Sequence, residues 1–178
     1  MKKTLLIAAI ALTATSLFAQ KKTTSSATIT FDATTPADAF PKAENKTSVA
    51  AIDTKKGTVA FESQIKGFNF SNPTMQQHFN SPRWLDSEQF PTATFTGKIT
   101  NLADVKFDKN GTYTANVEGD LSIHGVTNPV KTTATIVVGK DGIATSSKFE
   151  IKLDAYKLSN AGGKLDNNTK ITVAADFK

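Results

Sequence analysis

Histidine and cysteine, two side chains that carry much of the nucleophilic and metal chemistry of proteins, are scarce in this sequence. The 178 residues include two histidines, His78 and His124, and no cysteine. A cysteine nucleophile, a thiolate metal site, a disulfide scaffold and a lipid anchor attached through cysteine are therefore excluded. A histidine-rich metal site is excluded as well, and any histidine-based catalysis must use one of these two residues.

The other reactive side chains do not complete a catalytic motif. The sequence contains no G-x-S-x-G, H-E-x-x-H, P-loop or G-x-G-x-x-G pattern. The trio Asp166–Asn168 has a single acid and does not match a calcium loop. The acids Asp86 and Glu88 lie next to Trp84 and Phe90, which fits a surface or hydrogen-bonding role better than acid–base work. The sequence therefore predicts a protein that is not an enzyme and that uses no cofactor or metal.

His124 belongs to a segment that allows two interpretations. In the run His124-Gly-Val-Thr-Asn-Pro129 the histidine is either a polar anchor for a ligand head group or part of a chain turn. The turn is the better interpretation, because Gly125 supplies unusual backbone angles, and the side chains of His124 and Thr127 can hydrogen-bond the loop backbone. His78 is expected on a solvent-exposed face of a short helix.

The first residues have the pattern of a secretory signal peptide. Lys2 and Lys3 precede an apolar run from Leu5 to Leu12, and Ala19 is a small residue suited to cleavage. We expect residues 1–19 to be removed and the protein to be periplasmic or secreted. The apolar run is too short for the ~20 residues that span a bilayer, so no transmembrane segment is predicted.

The charge of the exported chain is mild. Without Lys2 and Lys3 the net charge falls from +5 to +3, and Arg83 is the only arginine. Sequence-specific DNA readers rely on arginine forks, so nucleic acid is not an expected partner. The oligomeric state stays open, and a homodimer is one of the alternatives.

Alternating apolar and polar residues dominate the rest of the chain and predict strands with one face toward an apolar interior. Residues 20–26 are polar and are expected to be a flexible lead-in, with one domain over residues 27–178. The predicted strands are centred on residues 27–31, 59–65, 93–99, 113–123, 130–138, 143–153 and 171–177.

Turn signals separate these runs. Asp108–Gly111 and Gly139–Gly142 predict hairpin turns, Asp53–Gly57 a slightly longer turn, and Asn160–Asn168 a flexible loop. One short helix is predicted to begin at Asn72-Pro73 and to end before Pro82. Seven or eight antiparallel strands with one helix indicate an all-β domain, either a closed barrel or a sandwich.

Small residues recur on the predicted inner face. Such residues either leave room for a ligand in the lumen of an eight-stranded barrel or complement large side chains opposite them in a solid core. The alternation does not decide between the two. The residues concerned are Ala93, Gly97, Ala115, Gly119, Ala134, Ser147 and Ala175.

Two segments carry a more specific signal. Phe90-Pro-Thr-Ala-Thr-Phe95 and Gly119-Asp-Leu-Ser-Ile-His-Gly-Val-Thr-Asn-Pro-Val130 occur in this order. Both resemble motifs of the YceI-like family of exported lipid-binding proteins, over roughly residues 47–177, and the chain resembles a compact variant of it. The resemblance implies a single antiparallel eight-stranded lipocalin-like barrel with one short helix. It also implies that the lumen holds an isoprenoid-type or similar amphiphilic lipid.

Given that resemblance, the residues expected to bind lipid are apolar and inward-facing, because each buried methylene contributes about 0.8 kcal/mol and the tail must dominate affinity. The expected function is non-catalytic binding, transport or storage of that lipid. The alternatives are a filled barrel that acts as an envelope protein-interaction or stress module and, more weakly, a lipid hydrolase or isomerase using His124. The predicted lipid-binding residues are Phe61, Phe68, Phe70, Met75, Phe79, Trp84, Phe90, Phe95, Leu121, Ile136 and Phe149.

Overall fold

The computed structural model describes residues 20–178, and the predicted signal peptide, residues 1–19, lies outside them. Residues 20–178 form nine strands and one α-helix, with short 3-10 turns in the connections. The elements are β1 (Lys21–Asp32), β2 (Lys42–Asp53), β3 (Thr58–Gln64), β4 (Asn69–Phe70), α1 (Pro73–Asn80), β5 (Thr92–Ile99), β6 (Gly111–Ile123), β7 (Val126–Gly139), β8 (Gly142–Lys152) and β9 (Asn168–Phe177).

The strands close into an antiparallel barrel. Neighbours run in the order β1, β9, β8, β7, β6, β5, β3, β2, and pairing of β1 with β2 completes the ring. The two-residue β4 adds only a short pairing to the start of β2. The predicted eight-stranded barrel with one short helix is therefore confirmed.

The first two strands differ most from expectation. Residues 21–26 are not a flexible lead-in but form the first half of β1, paired with the end of β2. β2 was not predicted because its inner face includes the fully buried polar residues Asn45 and Ser48. Both side chains are hydrogen-bonded, as burial requires: Asn45 Nδ2 donates to the Gln64 carbonyl at 3.0 Å, and the hydroxyls of Ser48 and Ser63 lie 2.6 Å apart.

Two of the predicted turns are present and one is not. Gly139 and Gly142 close the β7–β8 hairpin, and the Gly57 amide donates to the Asp53 carbonyl at 2.8 Å in the β2–β3 turn. Asp108–Gly111 does not form a hairpin turn, because β5 already ends at Ile99. Residues 100–110 instead make a longer connection that carries Leu102 onto the barrel.

The short helix is confirmed. α1 covers Pro73–Asn80, and the Asn72 side chain accepts from the backbone amides of Thr74 and Met75, which caps the first turn. Proline at the first helical position costs nothing there, because that amide has no partner within the helix.

The buried side chains form two clusters, one at each end of the barrel. The turn end consists of the hairpin turns 53–58 and 139–142 and the connection 100–110, with Val105 and Phe177 in its core. The helix end consists of segments 65–91 and 153–167, the connection 33–41 and the β6–β7 hairpin, with Phe79 and Leu153 in its core. Phe95 contacts both clusters, so the two ends meet near the middle of the lumen.

Candidate ligand cavity

A cavity of about 150 Å³ lies inside the barrel and is lined by residues of both clusters. Its wall is apolar apart from six serine and threonine residues, and within the described chain no Lys, Arg, His, Asp or Glu lines it. A charged group inside would lose its hydration without gaining a counter-charge, so the cavity favours uncharged, apolar occupants.

Eight of the eleven predicted lipid-binding residues lie on the cavity wall. The aromatic members come from six different parts of the chain, because β3, β5, β8, α1, the segment before β4 and the loop before β5 contribute one each. The eight are Phe61, Phe68, Phe79, Trp84, Phe95, Leu121, Ile136 and Phe149. Whether they contact a lipid stays a prediction.

The other three predicted residues do not line the cavity. Phe70 packs behind the wall against Phe79, with ring centroids 4.8 Å apart. Met75 lies on α1 one turn before Phe79 and is half-buried, but it does not reach the cavity. Phe90 stacks edge-on against His124 at 4.8 Å. Alternation marks which strand residues face inward, but these three lie outside the barrel strands, where period two carries no information.

The small inward residues serve both of the roles considered for them. Ala93, Ala134 and Ser147 line the cavity. Gly97 and Gly119 instead make room for the Phe95 ring: a Cβ built on either would lie within 2.8 Å of its Cζ atom. The remaining two, Ala115 and Ala175, are packed into the buried core of the turn end.

His124 forms part of a chain turn. It and Gly125 make the two-residue loop of the β6–β7 hairpin, with φ of 52° and 70°, the pattern of a type I′ turn. His124 is not among the cavity-lining residues, which leaves the lumen without the histidine that a hydrolase or isomerase would need. The expected hydrogen bonds to loop backbone are absent from the described contacts: Nδ1 of His124 is buried without a partner, and Thr127 bonds the Ser122 hydroxyl at 2.6 Å.

A cluster of aromatic rings closes the helix end of the cavity. Phe79 is its centre, with ring centroids 5.6 Å from Phe31, 5.6 Å from Phe68 and 5.2 Å from Trp84. The indole nitrogen of Trp84 donates to the Ser159 carbonyl at 3.0 Å. That bond joins segment 65–91 to segment 153–167, so the closure is built from two distant parts of the chain.

One side of the barrel wall is only partly paired. The β7–β8 ladder runs from Gly139 and Gly142 to Ala134 and Ser147 and then stops. Among residues 20–178, no strand pairs with residues 126–133 of β7 on that side, and the Asn128 side-chain amide donates to the Ala155 carbonyl at 2.8 Å. We call the point of separation the β7–β8 fork, formed by Thr132, Thr133, Ser147 and Lys148.

Two ionisable groups near the helix end have shifted pKa values. Burial raises the pKa of the Tyr156 phenol, although a hydrogen bond with Asn128 opposes this effect. Burial also disfavours the Asp32 carboxylate, but hydrogen bonds from Thr34 and the nearby Lys42 ammonium outweigh it and lower its pKa. Neither group lines the cavity.

Residues 20–178 show neither a metal-binding cluster nor a membrane-spanning helix. No group of three or more His, Cys, Asp or Glu side chains is placed to hold a metal ion. None of the helices found there is long and apolar enough to cross a membrane.

Comparison with known families matches residues 14–177 to the YceI-like domain. The chain belongs to the YceI-like family. This confirms the resemblance found in the two sequence motifs, since the match spans both of them.

Relatives within this family are distant. A UPF0312 protein of Pseudomonas fluorescens is 39% identical over 66 residues, which is 36% of this chain and 32% of that protein. UPF0312 proteins of Vibrio cholerae are 24% identical over 135 residues, covering 71% of this chain and 68% of theirs. The match thus spans about a third of the first relative's length and about two thirds of the second's.

Solved structures show the same barrel. A polyisoprenoid binding domain from Saccharophagus degradans superposes with a TM-score of 0.73 over 89% of this chain and 98% of that one, at 12% identity. At this identity the likeness establishes the fold alone.

Proposed function

We propose that this protein binds the apolar chain of an isoprenoid-type lipid inside its barrel and carries or stores it without chemical change. The observation that carries the proposal is the cavity itself, which is lined by apolar and hydroxyl side chains and by no ionisable one. The likeness to a polyisoprenoid binding domain adds support, because the two chains share the barrel that would enclose such a ligand.

Affinity would come from burial of hydrocarbon. Ten methylenes transferred into the cavity contribute on the order of 8 kcal/mol before entropic losses, while one neutral hydrogen bond contributes about 1 kcal/mol. The protein would therefore select for an apolar chain and discriminate weakly between chains of similar length.

The size of the cavity limits what can enter without rearrangement. A dry apolar cavity of about 150 Å³ in another protein holds a molecule of the size of benzene. A long isoprenoid needs more room, so binding would require one end of the lumen to open. The helix end is the better candidate, because apart from the β6–β7 hairpin its closure is a set of side chains and long loops, whereas two hairpin turns close most of the turn end.

Export of the protein is part of the proposal. The pattern of residues 1–19 favours a periplasmic or secreted location, where a hydrocarbon chain needs a protein carrier to cross water. No catalytic role is proposed, since His124 lies outside the cavity lining.

The alternative function, a filled barrel acting through its outer surface, expects an interior without a continuous void. A cavity of about 150 Å³ argues against it. The exposed large apolar side chains Phe40, Val49 and Val137 are few in number, and single ones are normal on a protein surface.

The test is native mass spectrometry of protein purified from its own cell envelope, together with a variant that fills the lumen. Ala134→Phe places a ring in the cavity from the inner face of β7, and Val137→Phe places the same ring on the exposed outer face of that strand. We expect a co-purifying lipid in the native protein and in Val137→Phe, and strongly reduced occupancy in folded Ala134→Phe.

Trp84 gives a second readout, because it is the only tryptophan in the sequence and it lines the cavity. Its emission should change when the lipid is extracted. If no lipid accompanies the native protein, and added isoprenoids neither bind nor alter Trp84 emission, the proposed function is wrong.

A further inference from the structure

Hydroxyl groups form a small acceptor site in the cavity wall at the β7–β8 fork. The Ser147 hydroxyl lies 2.7 Å from the Thr133 carbonyl and 3.1 Å from the Thr132 hydroxyl. The first contact has the ordinary length of a hydroxyl hydrogen bond, so the Ser147 proton belongs to the Thr133 carbonyl. Ser147 is then an acceptor toward Thr132.

The Thr132 proton is also taken up by the protein. Three acceptors surround its Oγ1: the Ser147 hydroxyl at 3.1 Å, the Thr133 carbonyl at 3.3 Å and the Lys148 carbonyl at 3.5 Å. With the proton pointing at one of these, Oγ1 keeps two lone pairs and receives no hydrogen bond from the described residues. The site can therefore accept a hydrogen bond from a ligand, but it has no free proton to donate.

The fork is in contact with the lumen. Thr132 and Ser147 both line the cavity, and so does Ser146 next to them on β8. Thr132 lies on an inner-face position of β7 two residues from Ala134, close to the middle of the barrel wall. An apolar chain in the lumen would pass directly over this acceptor.

We propose that the ligand is a neutral isoprenoid alcohol, or a similar uncharged lipid with a hydroxyl group, and that its hydroxyl donates to Thr132 Oγ1. This inference rests on the proposed function and narrows its ligand. A plain hydrocarbon would leave the acceptor unused, and an ether or ketone could not donate to it. A phosphate or carboxylate would be buried beside no cation.

The experiment titrates the whole protein, freed of lipid, with four ligands that share a ten-carbon skeleton: geraniol, geranyl methyl ether, myrcene and geranyl phosphate. Trp84 emission reports binding, and native mass spectrometry confirms it. We expect geraniol to bind about fivefold more tightly than the ether or myrcene, the effect of one neutral hydrogen bond. Geranyl phosphate should bind at least about tenfold more weakly than geraniol.

The matched variants are Thr132→Val and Thr135→Val, on the inner and outer faces of β7. Thr132→Val removes Oγ1 and should weaken the preference for geraniol; Thr132→Val with Ser147→Ala, which also removes the Ser147 oxygen that Thr132→Val leaves without its donor, should erase it. Thr135→Val changes an outward-facing side chain outside the fork and should behave as the native protein. The relative affinities of the four ligands for the native protein test the proposal even if Thr132→Val fails to fold.

Failure of the alcohol proposal and failure of the proposed lipid-binding function give different results. Equal affinities for geraniol, its ether and myrcene, or tight binding of geranyl phosphate, would overturn the alcohol proposal and leave lipid binding in place. Absence of binding by all four ligands would count against the proposed function itself.

Discussion

The two ends of the barrel are closed in different ways. The turn end is closed by hairpins between neighbouring strands and by the connection 100–110, which packs Leu102 and Val105 over the core. The helix end is closed by segments 65–91 and 153–167, which contact each other through the Trp84–Ser159 hydrogen bond. The hairpin turns of the first closure are local in sequence, whereas the second closure, although it includes the β6–β7 hairpin, depends on a contact between segments far apart in sequence.

This difference assigns different roles to the ends. Hairpin turns between paired strands cannot open without breaking backbone ladders, so the turn end is expected to be the rigid floor of the cavity. The helix end depends on side-chain packing around Phe79 and on a few hydrogen bonds. It is therefore expected to open at a lower free energy than the barrel as a whole.

The strongest test of the rigid end is a single methyl group at Gly142. This residue has φ of 144°, and a Cβ there would lie 2.1 Å from the Phe177 carbonyl oxygen. Backbone strain and the steric clash with β9 should together lower the free energy of unfolding by about 3 kcal/mol or more in Gly142→Ala. Urea unfolding measures the change.

The control for this variant lies at the other side of the same turn. A Cβ on Gly139 has its nearest described neighbour at 3.8 Å, and its φ is not positive. Gly139→Ala should therefore change stability by less than about 0.5 kcal/mol. Equal stability of the two variants would show that the hairpin yields and that the turn end is not rigid.

Removal of the same side chain from each end compares the closures directly. Phe177 and Phe79 are both almost completely buried. Phe177→Ala leaves a cavity in a rigid wall and should cost about 4 kcal/mol, whereas α1 can settle into the space left by Phe79→Ala, which should cost about 2–3 kcal/mol.

Hydrogen exchange shows which parts of the barrel lose stability in each variant. In Phe79→Ala, amides of α1 and of residues 153–158 should exchange faster while those of β6 and β7 keep their protection. In Phe177→Ala, exchange should accelerate throughout the barrel, because global unfolding has become easier. If the Phe79 variant loosens the whole barrel equally, the helix end is not an independent unit.

Features set by a few neighbouring residues were predictable at both ends: α1 and the His124 turn at the helix end were found, whereas the Asp108–Gly111 hairpin at the turn end was wrong. Gly139–Gly142 and Asp53–Gly57 are short-range signals whose meaning depends on a few residues. β2 was not predicted because Asn45 and Ser48 occupy positions on its inner face where apolar residues are expected. Their hydrogen-bond partners, Gln64 and Ser63, lie far along the chain. A buried polar side chain whose hydrogen-bond partner is brought close only by folding cannot be distinguished, in the sequence, from a solvent-exposed polar side chain.

The cavity wall shows the same contrast between residues predictable from a local pattern and residues placed only by the fold. Wall residues on strands, such as Phe61, Phe95 and Ile136, were found because alternation fixes which side faces inward. Leu85 and Leu158 reach the cavity from connections, where no period applies, and were missed. This contrast has exceptions in both directions: Phe79 and Trp84 lie outside the barrel strands and were predicted, whereas Phe31 on β1 lines the cavity and was not. The acceptor at Thr132 was visible as a member of an inner-face run, but its free lone pairs depend on the separation of β7 from β8, which only the structure shows.

The smallest expected effect concerns the pH response of the helix end, through Asp32 at the end of β1. Its carboxylate accepts from the amide and hydroxyl of Thr34 at 3.2 and 2.7 Å and lies 3.3 Å from Lys42 Nζ, with Lys170 opposite on β9. Burial disfavours the charged form, yet these contacts outweigh it and hold the Asp32 pKa below its ordinary value.

Because the pKa of Asp32 is lower in the folded chain than in the unfolded one, its ionised form stabilises the fold above about pH 4, and this contribution is lost as pH falls through the folded pKa. The pair with Lys42 is partly exposed, so the contribution should be no more than about 1 kcal/mol. Urea unfolding of the native protein and of Asp32→Asn between pH 5 and pH 2.5 isolates it from the other carboxylates. The stability difference between the two proteins should shrink as pH falls, with exchange rising first in residues 33–41. A stability difference that stays constant with pH would mean that the ionised Asp32 carboxylate does not stabilise the helix end.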